Sequence, residues 1–145
     1  FMWCCNMALN GIIQKGVPND WSIHGIGHEL TAAYGIDHAR TLAIVLPSMY
    51  RYKINQKQEK LAQYGRRVLG LSGDDLSIAS EAIDRTEAFF NSLGIGTKIT
   101  DYNIDKPQEF PAKICDAMEA QRAIILGEHK DIKRDDVFNV LNMAI

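Results

Sequence analysis

Apolar residues recur three and four positions apart along most of this chain, which is the spacing of a helix face. Glycines, prolines and short capping side chains separate these apolar stretches. The pattern predicts about seven helices: 1–15, 20–34, 38–55, 57–69, 75–93, 107–120 and 135–143. Pro47 is expected to kink or break the third helix. No run of alternating apolar and polar residues indicates a strand, so we predict an all-α fold with one domain over residues 1–145.

Charged side chains are distributed unevenly along the chain. Only five of the 34 lie among the first 50 residues, and 27 of those 50 residues are apolar. A stretch this poor in charge has to be covered, either by the rest of the chain or by something outside it. The chain starts with Phe-Met-Trp-Cys-Cys, which is neither a helix start nor a signal peptide. We therefore expect residue 1 to lie inside a longer natural protein.

Composition argues against several classes of function. The net charge is −2, so a basic nucleic-acid surface or a polybasic membrane patch is not expected. No apolar run approaches the roughly 20 residues that span a bilayer. The three cysteines are an odd set without ligand-like spacing, which favours a reduced, cytoplasmic protein. We expect neither a nucleic-acid nor a membrane partner.

Three of the four histidines lie within fifteen residues and form the main candidate site. His24 and His28 are four residues apart on the second helix and share a face. His38 begins the next helix after a tight turn, so a helix–turn–helix return could bring it beside His24. Imidazole suits zinc, iron and similar metals, which makes the trio a candidate metal or catalytic site. The alternative is that the three are solvent-facing or core histidines.

Two glycines and one carboxylate accompany these histidines. Gly25 and Gly27 each cost about 0.5–1 kcal/mol relative to alanine in a helix interior. They indicate close approach, either of a ligand or of a tightly packed helix. Asp20 lies four residues before His24, a spacing that two metal ligands on one helix can also have. We interpret it instead as a carboxylate at the helix start.

The remaining reactive and aromatic side chains have simpler interpretations. The adjacent Cys4 and Cys5 are expected to be packing residues of an apolar helix. His129 is expected to be solvated in a loop. Four aromatic residues are expected in the core: Trp3, Trp21, Phe89 and Phe90.

The histidine segment resembles the iron-containing alcohol dehydrogenase family, most closely its butanol dehydrogenase and aldehyde reductase branch. The resemblance rests on Gly-Val-Pro-Asn-Asp-Trp-Ser-Ile-His-Gly-Ile-Gly-His-Glu-Leu at 16–30 and Tyr-Gly-Ile-Asp-His-Ala at 34–39. It covers essentially the whole chain through shorter and less specific pieces: 42–47, 93–95, 101–102, 127–128 and 131–132.

The resemblance implies the C-terminal helical domain of the dehydroquinate synthase-like fold, which follows an α/β domain that binds NAD or NADP. It implies one divalent metal, Fe²⁺ or Zn²⁺, held by an Asp and a His that would precede residue 1 and by His24 and His38. His28 corresponds to a residue that faces the nicotinamide and the substrate, which makes it the candidate catalytic and cofactor-binding residue.

The full-length enzyme implied by the resemblance would interconvert primary alcohols and aldehydes by metal-assisted hydride transfer. We expect it to be a cytoplasmic homo-oligomer, and we expect the present chain alone to be inactive. Two other interpretations stay open. One is an independent helical module that holds zinc through His24, His28 and His38. The other is a helical protein-interaction domain whose apolar first 50 residues form an interface.

Overall fold

A computed structural model describes residues 1–145, and its regular structure is helical. The seven α-helices are α1 Met2–Leu9, α2 Ser22–Tyr34, α3 His38–Tyr52, α4 Ile54–Leu69, α5 Asp75–Ser92, α6 Phe110–Ala120 and α7 Arg134–Met143. Two short 3₁₀ turns, Ile99–Tyr102 and Pro107–Glu109, lie between α5 and α6. An isolated bridge between Leu126 and Ile132 is the one element of β-pairing. The predicted all-α fold is confirmed, and no helix combines the length and apolarity needed to cross a membrane.

The main core lies where α2, α3, α6 and α7 meet. These helices contribute most of its 16 buried residues, among them Ile26, Leu30, Ile44, Val45, Met49, Phe110, Ile114, Met118, Val140 and Leu141. A smaller cluster of Leu61, Ala79 and Ile83 holds α4 against α5. The main core therefore fixes α2 and α3, the two helices that carry the candidate histidines.

The predicted end of the first helix is wrong, and of the kink or break expected at Pro47 the break does not occur. α1 ends at Leu9 instead of continuing to Lys15, and Gly11 follows with a left-handed φ of 88°. α3 runs through Pro47 to Tyr52 without a break. Proline removes one helix hydrogen bond. Val45 and Met49 on either side of Pro47 are fully buried in the main core, which keeps the helix continuous.

The N-terminal segment is not covered by the rest of this chain. α1 has no buried residue, and Trp3 is 73% exposed. Cys4 and Cys5 are exposed as well, so their predicted packing role is wrong for this chain. Trp21 and, on α5, Phe89 are exposed too, so the predicted core positions of Trp3, Trp21 and Phe89 are wrong, whereas Phe90 is half-buried. A large apolar surface is therefore left at this end of the molecule.

Candidate metal centre

The turn between α2 and α3 places the histidines. α2 ends at Gly35, which has a left-handed φ of 67° and donates its N–H to the Thr31 carbonyl at 2.9 Å. This conformation favours glycine because a Cβ would be strained there. The turn carries the chain back along α2, and His38, the first residue of α3, comes to lie against the middle of α2.

Gly27 allows the two helices to approach this closely. A Cβ on Gly27 would lie 3.0 Å from Thr41 Oγ1 and 3.1 Å from a methyl carbon of Leu42. A Cβ on Gly25 would lie 3.3 Å from the side chain of Leu126. Of the two interpretations of these glycines, the structure shows tight packing of this chain's own segments.

The three clustered histidines meet at this crossing. His24 Nδ1 lies 3.1 Å from His38 Nε2, and the ring centroids of His28 and His38 are 4.2 Å apart. One potential ligand atom from each ring falls within 4.8 Å of the others. The predicted proximity of His24 and His38 is confirmed, with His28 one turn further along α2; that these residues bind a metal stays a prediction.

The protonation of the rings suits ligand chemistry. Burial, followed by the nearby His28, lowers the pKa of His24 below its ordinary value. Burial, followed by His28 and His24, also lowers the pKa of His38. Both rings are therefore neutral near pH 7, the form in which an imidazole nitrogen offers its lone pair to a metal. A set of three imidazoles fits Zn²⁺ and Fe²⁺.

Two further residues border the histidines, and neither was singled out from the sequence as part of the site. Thr41 Oγ1 lies 3.4 Å from His38 Nδ1 and donates a hydrogen bond to the His38 carbonyl at 2.7 Å. Trp21 meets His24 edge-on, with ring centroids 5.0 Å apart. In the sequence, only their spacing pointed to the site: Thr41 lies three residues after His38, and Trp21 lies three residues before His24. His129, the fourth histidine, is exposed in its loop as predicted.

Asp20 lies at the start of α2 as predicted. Its Oδ1 accepts a hydrogen bond from the Ser22 N–H at 2.8 Å. Its Oδ2 lies 2.6 Å from Lys57 Nζ, an ion pair that spacing along the chain does not reveal. Burial raises the pKa of Asp20, but the hydrogen bonds from Lys57 and Ser22 outweigh it and leave this pKa below its ordinary value.

Acid should remove the stabilisation that Asp20 provides. A carboxyl group whose pKa is lowered by folding stabilises the fold above its unfolded pKa, here 3.8, and this contribution is lost as the pH falls through the folded value. We expect Asp20→Asn to lower the free energy of unfolding by about 1 kcal/mol at pH 6, a modest figure because Lys57 keeps its ion pair with Glu128 in this variant. Urea unfolding should show the difference from the parent chain shrinking below pH 3.8. A difference that persists unchanged at lower pH would contradict this.

Known proteins match this chain over nearly its whole length, including the histidine segment. The model of the Fe-containing alcohol dehydrogenase family, C-terminal part, matches residues 2–145. The NADPH-dependent aldehyde reductase YqhD of Escherichia coli is 44% identical over 135 residues, which cover 92% of this chain and 34% of the relative. The NADH-dependent butanol dehydrogenase A of Clostridium acetobutylicum is 36% identical over 147 residues, covering 99% of this chain and 37% of the relative.

Solved structures give the same result for the fold. The crystal structure of Escherichia coli YqhD matches with a TM-score of 0.92 and 42% identity, covering 99% of this chain and 37% of that one. A butanol dehydrogenase A from Thermotoga maritima has a TM-score of 0.89 at 24% identity, covering 98% of this chain and 37% of that one, and shows the shared fold alone.

These matches decide between the interpretations of the sequence. The chain spans about a third of the length of the curated relatives it matches. Neither an independent zinc module nor a protein-interaction domain is favoured, because the match extends over almost every residue and includes the histidine segment. The chain belongs to the Fe-containing alcohol dehydrogenase family and corresponds to its C-terminal, helical part.

Proposed function

We propose that residues 1–145 form the metal-binding helical domain of an NAD(P)-dependent oxidoreductase that interconverts primary alcohols and aldehydes. The observation that carries the proposal is the 3.1 Å separation of His24 Nδ1 and His38 Nε2, with His28 beside them. The substrate class is supported by relatives whose names describe an aldehyde reductase and butanol dehydrogenases.

In this proposal His24 and His38 hold one divalent metal, Fe²⁺ or Zn²⁺. The metal, when bound, supplies Lewis-acid polarisation of an alcohol or aldehyde oxygen. Two imidazoles are fewer than the ligands that a tight site requires. The resemblance implies that an Asp and a His preceding residue 1 bind the same ion. We therefore expect the chain alone to bind the metal weakly.

In this proposal His28 contacts substrate and cofactor. It is exposed, whereas His24 and His38 are half-buried, and its ring lies 4.2 Å from that of His38 between centroids. An exposed imidazole there can give or accept a proton and can orient a substrate oxygen. The hydride chemistry belongs to the nicotinamide, and we assign His28 to the surface that faces it.

The proposal includes a second domain that would complete the active site. The matched relatives are about three times as long as this chain. We propose that an α/β domain of a longer protein binds NAD or NADP and covers the exposed apolar surface around α1. Homo-oligomeric assembly and a cytoplasmic location stay predictions from the sequence.

The chain by itself is expected to bind neither NADH nor NADPH and to show no dehydrogenase activity. Dinucleotide sites use a strand, a glycine-rich turn and a helix N-terminus, and the helical fold described above offers no such unit. Fluorescence titration with each reduced nucleotide checks this. Saturable binding at micromolar concentration would contradict the proposed division between the two domains.

A metal titration followed by NMR tests the proposed site directly. Zn²⁺ added to the metal-free chain should shift the ring resonances of His24 and His38 first. His129 is an internal control, since it is exposed and lies outside the cluster. Shifts confined to His129 or to the exposed Cys4 and Cys5 would show that the metal binds elsewhere.

A further inference from the structure

Lys57 of α4 joins two carboxylates that come from distant parts of the chain. Its Nζ lies 2.6 Å from Asp20 Oδ2 and 3.1 Å from both carboxylate oxygens of Glu128. The side chains of Lys57, Asp20 and Glu128 are only 14%, 16% and 25% exposed. Exposed ion pairs contribute little, but loss of this mostly buried cation leaves two carboxylates without a counter-charge.

One of these carboxylates acts on the first turn of α2. Asp20 Oδ1 accepts from the backbone N–H of Ser22, the fully buried first residue of α2. His24 follows within the same helical turn. The main core holds α2 from Ile26 onward. Displacement of Asp20 therefore loosens the first turn of α2, which carries His24 and precedes that buried residue, while His38 keeps its place at the start of α3.

The other carboxylate belongs to a loop that contacts the same turn. Glu128 belongs to a loop that is closed by two backbone hydrogen bonds between Leu126 and Ile132, of 2.9 and 3.2 Å. The Leu126 side chain lies 3.3 Å from the position of a Cβ on Gly25. Two segments contact the first turn of α2: Asp20, which precedes it, and the 126–132 loop. Lys57 connects both of them to α4.

We propose that Lys57 is a positioning residue for the histidine site: by holding Asp20 and Glu128 together, it fixes His24 at the distance from His38 that lets the two rings share an ion. The inference rests on the proposed function for its metal-binding readout, but the geometry of the two rings can be measured without metal.

Lys53 provides a matched control for a purely structural role. Its Nζ lies 3.3 Å from Asp131 Oδ2, on the same loop that carries Glu128, and its side chain is 11% exposed. It makes no ion pair with Asp20. Lys53→Met therefore removes a comparably buried ion pair to the same loop without releasing the start of α2.

The test compares the parent chain with Lys57→Met, Lys57→Arg and Lys53→Met. In metal-free samples, the nuclear Overhauser effect between the His24 and His38 rings should fall at least twofold in Lys57→Met and stay near the parent value in Lys53→Met. Zn²⁺ affinity measured by calorimetry should fall about tenfold in Lys57→Met, the effect typical of lost ligand positioning. Lys57→Arg, which keeps the charge, should retain most of both signals.

The outcomes separate this inference from the proposed function. Ring contacts that respond as described in a chain that binds no Zn²⁺ would support the positioning role and contradict the metal site. Ring contacts and Zn²⁺ affinity in Lys57→Met within twofold of those in Lys53→Met would overturn the inference. If Lys57→Met does not fold, Glu128→Gln replaces it: a smaller loss of ring contact in the same direction supports the inference, and no loss overturns it.

Discussion

Replacing His38 with alanine is expected to lower the affinity of the chain for Zn²⁺ or Co²⁺ by on the order of 100-fold, down to non-specific binding. The reason is the 3.1 Å approach of His24 Nδ1 and His38 Nε2, a separation at which two nitrogens can bind one ion. Removing His38 leaves His24 as the one remaining member of the two assigned ligands, so this chain loses half of the ligand set that we assign to the ion. Calorimetry with Zn²⁺ and visible absorption with Co²⁺ measure the effect.

Two control variants make this result specific. His129→Ala removes an exposed histidine outside the cluster and should leave the affinity unchanged. His28→Ala should have a smaller effect than His38→Ala, because we assign His28 to the substrate and cofactor side. Equal losses from His28→Ala and His38→Ala would instead favour a three-histidine zinc site, and no loss from His38→Ala would contradict the metal assignment.

Replacing Gly27 with leucine is expected to lower the free energy of unfolding by about 2–3 kcal/mol and to separate the two ligand histidines. Even a Cβ at this position would lie 3.0 Å from Thr41 Oγ1 and 3.5 Å from the His38 ring carbon Cε1. A leucine side chain cannot fit there unless α2 and α3 move apart. Urea unfolding measures the loss of stability, and the ring-to-ring nuclear Overhauser effect measures the separation.

Ala32→Leu is the matched control for this prediction. Ala32 lies on the exposed side of the same helix, so a leucine side chain there meets solvent instead of α3. Its effect on stability should stay within about 0.5 kcal/mol. A Gly27→Leu variant as stable as Ala32→Leu, with the histidine contact intact, would show that the close helix crossing does not hold the site together.

Local sequence determined most of the helices and the proximity of His24 and His38. Glycine at the end of α2 and Asp74 before α5, which accepts from the Ser77 N–H at 3.0 Å, set helix boundaries through contacts within a few residues. The spacing of His24 and His28 placed them on one helix face, and a short turn before His38 left little freedom for the chain between them. Such signals can be recognised in sequence because they depend on neighbouring residues.

Tertiary structure decided the features that depend on partners far along the chain. Burial in the main core keeps α3 intact through Pro47, against the local preference of proline. The exposure of Trp3 follows from the absence of packing partners, which hydrophobicity alone does not report. Lys57 meets Asp20 and Glu128 across 37 and 71 residues, and charge pattern along the sequence does not pair such groups. The helices follow from local periodicity, but the support of His24 depends on contacts that form only when the helices pack.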